Sequence, residues 1–128
     1  MLAKVLTGAV LGIDAHLVEV EVDIGNGMPG LTIVGLPDKT IEESRDRVRA
    51  ALRNSGFEYP LRKMVINLAP ADIRKEGTGY DLPLALGLLA GSGQLPLAHL
   101  ADYLLVGELA LDGTLRPVPG VLDRKSVV

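Results

Sequence analysis

The sequence predicts an α/β domain with the element order βββαβαβββ, and three stretches carry that reading. Leu17-Val18-Glu19-Val20-Glu21-Val22-Asp23-Ile24 alternates apolar and acidic residues without a break, the period of a strand with one wet face. Ile41, Ser44, Val48, Ala51 and Leu52 recur at helical spacing. Arg74 to Leu89 passes abruptly from a charged, glycine-bearing loop into an apolar helix. The loop follows Val65-Ile66-Asn67-Leu68-Ala69-Pro70, a short buried strand, so Ala71 to Tyr80 forms a strand-to-helix elbow where a site would lie.

In chain order, Val5 to Ile13 is small and apolar and pairs with the alternating strand through a turn near Asp14 to His16. The glycine-rich run Gly25 to Gly30 leads to a third strand, Leu31 to Gly35, which ends before Pro37, and three antiparallel strands are expected as the N-terminal unit. The first helix is capped by Asp38 or Thr40, the latter with Glu43 three residues on as a capping box, and stops near Asn54 before Ser55-Gly56. Arg62 and Lys63 lead into the strand Met64 to Leu68. In the second helix Asp81 is placed to cap and Pro83 stands where a missing N–H costs nothing, while Leu82 to Ala90 is apolar nearly all round and therefore internal. Leu104 to Gly107 reads as a strand, and Leu109 to Arg116 as a hairpin around Asp112-Gly113.

With 128 residues and 48% hydrophobic side chains, the chain can bury one core, built from Leu, Val, Ile and Ala because aromatics are only 3%. So few aromatics offer no stacking platform for single strands, and a net charge of −3 confines any nucleic-acid contact to a local basic face. No cysteine means no disulfide or thiolate site, which fits a cytoplasmic protein. The apolar stretch Val5 to Ile13 has a single basic residue, Lys4, before it and Asp14 and His16 just after it, and Gly91-Ser92-Gly93-Gln94 and Pro96 break the uncharged run Leu82 to Ala101, so neither is a membrane segment.

Arg45, Arg49 and Arg53 form a row at i, i+4, i+8 on the first helix, with Glu42 and Asp46 within intrahelical reach. Such a run is ordinarily a solvated face. As a DNA-binding face it would include Arg62 and Lys63. Thr78 and Lys75 are a candidate hydroxyl and amine pair at the elbow, set against the ordinary reading of a loop threonine as a turn or capping residue. Gly77-Thr78-Gly79 at a helix start offers a phosphate cradle, but no G-x-x-x-x-G-K-[ST] occurs anywhere. His16 and His99 have no second ligand at metal spacing, and no metal or cofactor is expected in this chain.

Thr32-Ile33-Val34-Gly35-Leu36-Pro37-Asp38, Glu43 to Ala51, Val65 to Asp72 and Lys75-Glu76-Gly77 together resemble the N-terminal domain of the ComM/YifB family, also called magnesium-chelatase-like or ChlI-like. The resemblance covers residues 1–122, leaving 123–128 as a boundary, linker or added tail. It implies a bacterial AAA+ ATPase whose ATP and magnesium belong to a segment outside this chain, neighbouring subunits of a hexameric ring as partners, and DNA branch migration in natural transformation. It also implies a two-layer fold with a mixed sheet and two main helices, similar to the proteolytic domain of Lon and the C-terminal domain of RadA. Carried onto the Lon pattern, Gly79 takes the place of the nucleophilic serine and Leu122 that of its partner lysine. The expectation is a non-catalytic module acting in DNA positioning or subunit assembly. The alternatives are a Lon-like peptidase or hydrolase using Thr78 and Lys75, and a protein-interaction domain without a DNA role.

Overall fold

A computed structural model describes residues 2–11, 14–73, 75 and 77–118. Strand β1 (Leu2–Leu11) pairs antiparallel with β2 (Asp14–Gly25), whose alternation matches its burial: Val18, Val20, Val22 and Ile24 are wholly buried. Strand β3 (Gly30–Val34) precedes helix α1 (Asp38–Asn54), and β4 (Lys63–Ala69) precedes helix α2 (Asp81–Gly91). A 3₁₀ turn (Leu97–His99) follows, then β5 (Glu108–Leu109) and β6 (Leu115–Arg116) form a hairpin about the turn ending at Gly113.

The fold is the expected two-layer α+β arrangement, with a mixed sheet and two helices on one face. Its strand order differs from a meander. The order is β1-β2-β4-β3, with β4 antiparallel to β2 and β3 parallel to β4. The expected N-terminal unit of three antiparallel strands is therefore corrected to a hairpin plus a β3-α1-β4 crossover, since a parallel pair needs a long connection and α1 supplies it. Burial explains the choice: Met64, Ile66 and Leu68 of β4 need cover that a central position gives, whereas β3 has five residues and buries only Ile33.

Helix α2 lies across the hairpin. A Cβ added at Gly87 would come within 2.8 Å of Val22, and one at Gly91 within 3.1 Å of Ile24, so these glycines set how closely helix and sheet approach. The expected strand Leu104 to Gly107 is reduced to a parallel bridge from Leu104 to Leu6 and a hydrogen bond from Leu105 N–H to the Leu6 carbonyl at 2.8 Å. The sheet's second face, carrying Leu2, Lys4, Leu17, Glu19, Glu21 and Asp23, points away from the helices.

Candidate functional site

At the elbow, Asp81 does not cap α2. The N-cap is Tyr80, with no side-chain capping bond, and Asp81 is the first helical residue, fully buried. Its carboxylate accepts from Arg47 Nε at 2.6 Å and Nη2 at 3.1 Å, from the Leu109 N–H at 3.0 Å, and from Ser44 Oγ. One side chain thus ties α1, α2 and the β5–β6 hairpin together. The bond to Asp81 raises the Arg47 guanidinium above its ordinary range. At the other helix, α1 opens on Pro37 without a side-chain cap, so neither Asp38 nor Thr40 caps it.

The remaining elbow groups are committed to the fold. Lys75 is 2% exposed, and its Nζ donates to the carbonyls of Pro70 and Ile73, each at 2.8 Å. Thr78 is half-buried and offers its carbonyl to the Asp81 N–H at 3.3 Å. Gly79 is buried, and a Cβ there would meet Val106 Cγ1 at 3.1 Å and Val118 Cγ1 at 3.3 Å. In the first turn of α2 the Leu82 N–H bonds the Gly107 carbonyl at 3.0 Å and Pro83 has no N–H, so neither can donate to a phosphate at the Gly77-Thr78-Gly79 loop. Leu122 lies outside the described residues.

The structure gathers part of the basic row around a single aromatic ring. Arg49 and Arg53 place their guanidinium carbons 5.5 and 6.0 Å from the centre of the Tyr59 ring, and Arg45 Nη2 donates to the Leu31 carbonyl at 3.0 Å. Among the described residues no carboxylate stands within 4 Å of any of the three, so the expected partners Glu42 and Asp46 do not engage them. Burial pushes the Tyr59 phenol above its ordinary range, against the opposing pull of Arg49, Arg45 and Arg53. Arg45, Arg49 and Tyr59 border a cavity of 380 Å³ walled by Pro29, Leu31, Leu61 and Met64. Met28 and Leu61 are 87% and 76% exposed, and the Arg62 carbonyl holds the Gly30 N–H at the start of β3. Arg62 and Lys63 are exposed and adjoin this face where β4 begins.

A family profile described as subunit ChlI of Mg-chelatase matches residues 20–126. The chain is 59% identical to the uncharacterized protein YifB of Escherichia coli over 122 residues, which is 95% of this chain and 24% of that protein. It is 53% identical to the competence protein ComM of Haemophilus influenzae over 121 residues, 94% of this chain and 24% of that one. The chain belongs to the ChlI family. It spans about a quarter of those relatives. Lon protease 3 of Sorangium cellulosum is 26% identical over 122 residues, 91% of this chain and 14% of the protease.

The ChlI name implies magnesium, yet among the described residues no three His, Asp or Glu side chains come together as a metal site. His16 is half-buried on β2 and His99 exposed on the 3₁₀ turn. No helix among the described residues is long and apolar enough to cross a membrane. Sequence reasoning missed Arg47 and Tyr59. The first was findable, since Ser44 and Arg47 sit three apart and so share a face of α1. Tyr59 gave no local signal, because its place beside Arg49 and Arg53 depends on how the chain returns after α1.

Proposed function

We propose that this domain is a non-catalytic N-terminal module of a ComM-type AAA+ ATPase, acting in the assembly of neighbouring subunits while nucleotide chemistry proceeds elsewhere in a cytoplasmic, ring-forming protein. The observation that carries this reading is the arginine face: three guanidinium groups without carboxylate partners among the described residues, two of them set around Tyr59, with Leu61 exposed on the same cavity. Arg and Tyr are among the residue types enriched where proteins meet. A peptidase or hydrolase reading is disfavoured by the elbow, where Lys75 is held by two carbonyls and the serine position of Lon is a glycine facing two valines.

DNA positioning is the second reading, because arginines one helical turn apart lie about 6 Å from each other and each can hold a phosphate bidentately. Full-length protein carrying Arg45→Glu/Arg49→Glu/Arg53→Glu separates the two. On the assembly reading, sedimentation shows smaller species than wild type at equal concentration. Intact assembly with weakened DNA binding and a flatter salt slope would favour DNA instead. Casein or ester turnover by the chain, abolished by Thr78→Val, would overturn the non-catalytic reading.

A further inference from the structure

The arginine face has a counterpart on the same molecule. On the sheet face turned away from the helices, β2 presents Glu19, Glu21 and Asp23 in one file, with Leu17 at one end and Leu2 paired to Asp23 at the other. Asp23 is exposed, Leu17 and Leu2 are 55% and 64% exposed, and Lys4 offsets one charge through its 3.4 Å contact with Glu19. Four strand steps place Glu19 and Asp23 about 14 Å apart. Eight helical steps place Arg45 and Arg53 about 12 Å apart. The two files therefore match in length and are opposite in sign, with Glu21 steadied by a 2.9 Å hydrogen bond from Asn67 Nδ2, and each has exposed apolar side chains beside it that would leave water on contact.

We propose that the acidic file of β2 on one copy of this chain is the partner of the Arg45-Arg49-Arg53 face on the next. The two surfaces lie on opposite layers of the domain, so they cannot meet within one copy, and a contact between copies is head-to-tail. Contacts of that kind continue into a closed ring or an open chain rather than stopping at a symmetric pair. Leu61 beside the arginines, and Leu2 and Leu17 beside the acids, supply the apolar part of the contact; the charges fix its register and penalise a reversed approach. The aromatic ring matters as well. With the Tyr59 ring 5.5 and 6.0 Å away, Arg49 and Arg53 have a surface to rest against before the partner arrives, which lowers the ordering cost of binding.

This inference rests on the assembly reading and names its second surface. Sedimentation velocity of the 128-residue chain at submillimolar concentration tests it in low and high salt. Self-association is expected in low salt, lost in high salt. Arg49→Glu/Arg53→Glu and Glu19→Arg/Asp23→Arg are each expected to weaken it about tenfold or more, since each sets like charges face to face. An equimolar mixture of the two variants should associate again, because the unaltered arginines of one meet the unaltered acids of the other. A wild-type chain that stays monomeric in low salt, or a mixture that does not recover, overturns the pairing. If only the arginine variant dissociates, assembly through that face stands and the acidic file is the wrong partner. If neither variant matters, the assembly reading fails with it; if the arginine variant loses only affinity for a DNA duplex, the row belongs to nucleic acid.

Discussion

Asp81 shows how far one carboxylate can reach. It is fully buried and accepts from Ser44, twice from Arg47, and from the Leu109 amide. Taking away either partner is costly, but not equally. Asp81→Ala leaves Arg47, a fifth exposed, free to turn to water, and is expected to cost about 3 kcal/mol, at the lower end for a broken buried pair. Arg47→Met strands a carboxylate with no access to water and is expected to cost more. Urea unfolding of both variants checks the order; a smaller loss for Arg47→Met would mean that Ser44 and the Leu109 amide satisfy the charge by themselves. Tyr59 gives a pH signature at the same scale. Burial raises its folded pKa above that of the unfolded chain, so its contribution is full below the unfolded value and is lost as pH rises through the folded one. Stability is therefore expected to fall above about pH 10, and Tyr59→Phe to flatten that fall in chemical denaturation across alkaline pH. An unchanged slope in the variant would assign the fall to other groups.

Among the elements, α1 and β2 were legible because their information is local. The stripe Ile41, Ser44, Val48, Ala51 and Leu52 and the break at Ser55-Gly56 set the helix and its end at Asn54, though not its cap, and strict alternation set the core of the strand. What could not be read was long-range. Nothing in Leu31 to Gly35 says that it runs parallel to a strand thirty residues on, and Leu104 to Gly107 has a strand's composition yet, among the described residues, reaches β1 through one bridge. Asp81 misled for a related reason. At a helix start a carboxylate is ordinarily a cap, and only the fold reveals that Arg47 arrives from another helix. The glycines of α2 offer a test at this scale. Alanine at Gly87 would gain about 1 kcal/mol of helix propensity but force its Cβ against Val22, a stiff, fully buried side chain, at 2.8 Å. Overpacking of that kind costs roughly 1–3 kcal/mol and should win, so Gly87→Ala is expected to lower the thermal midpoint. Gly91→Ala meets the flexible end of Ile24 at 3.1 Å and is expected to be tolerated better. Equal midpoints for the two would mean that the helix slides to make room.

For the whole molecule, the two layers carry different charge: the helix layer carries the arginine face and the open sheet the acids, while at the elbow the groups that open α2 are bonded within the fold. Those bonds bear on nucleotide. A triphosphate needs free amides at a helix start together with a lysine and a hydroxyl for its phosphates and metal. Here the Asp81 and Leu82 amides are bonded to the carbonyls of Thr78 and Gly107, Pro83 has none, and Lys75 is held by Pro70 and Ile73. The cavity beside Arg45 and Arg49 could still attract the phosphates by charge alone, since at 380 Å³ it lies within the range of about 300–1,000 Å³ typical of small-molecule pockets. The two modes differ in what they depend on. Binding by charge weakens with salt and gains nothing from magnesium, whereas a P-loop-like cradle needs the metal. Calorimetric titration of the chain with ATP is therefore expected to show no magnesium-dependent heat in the micromolar range. Any weak heat should disappear in high salt and in Arg45→Gln/Arg49→Gln. Tight binding that requires magnesium and survives that substitution would place a nucleotide site in this domain after all, and the elbow, with its amides released from Thr78 and Gly107, would be where to look for it.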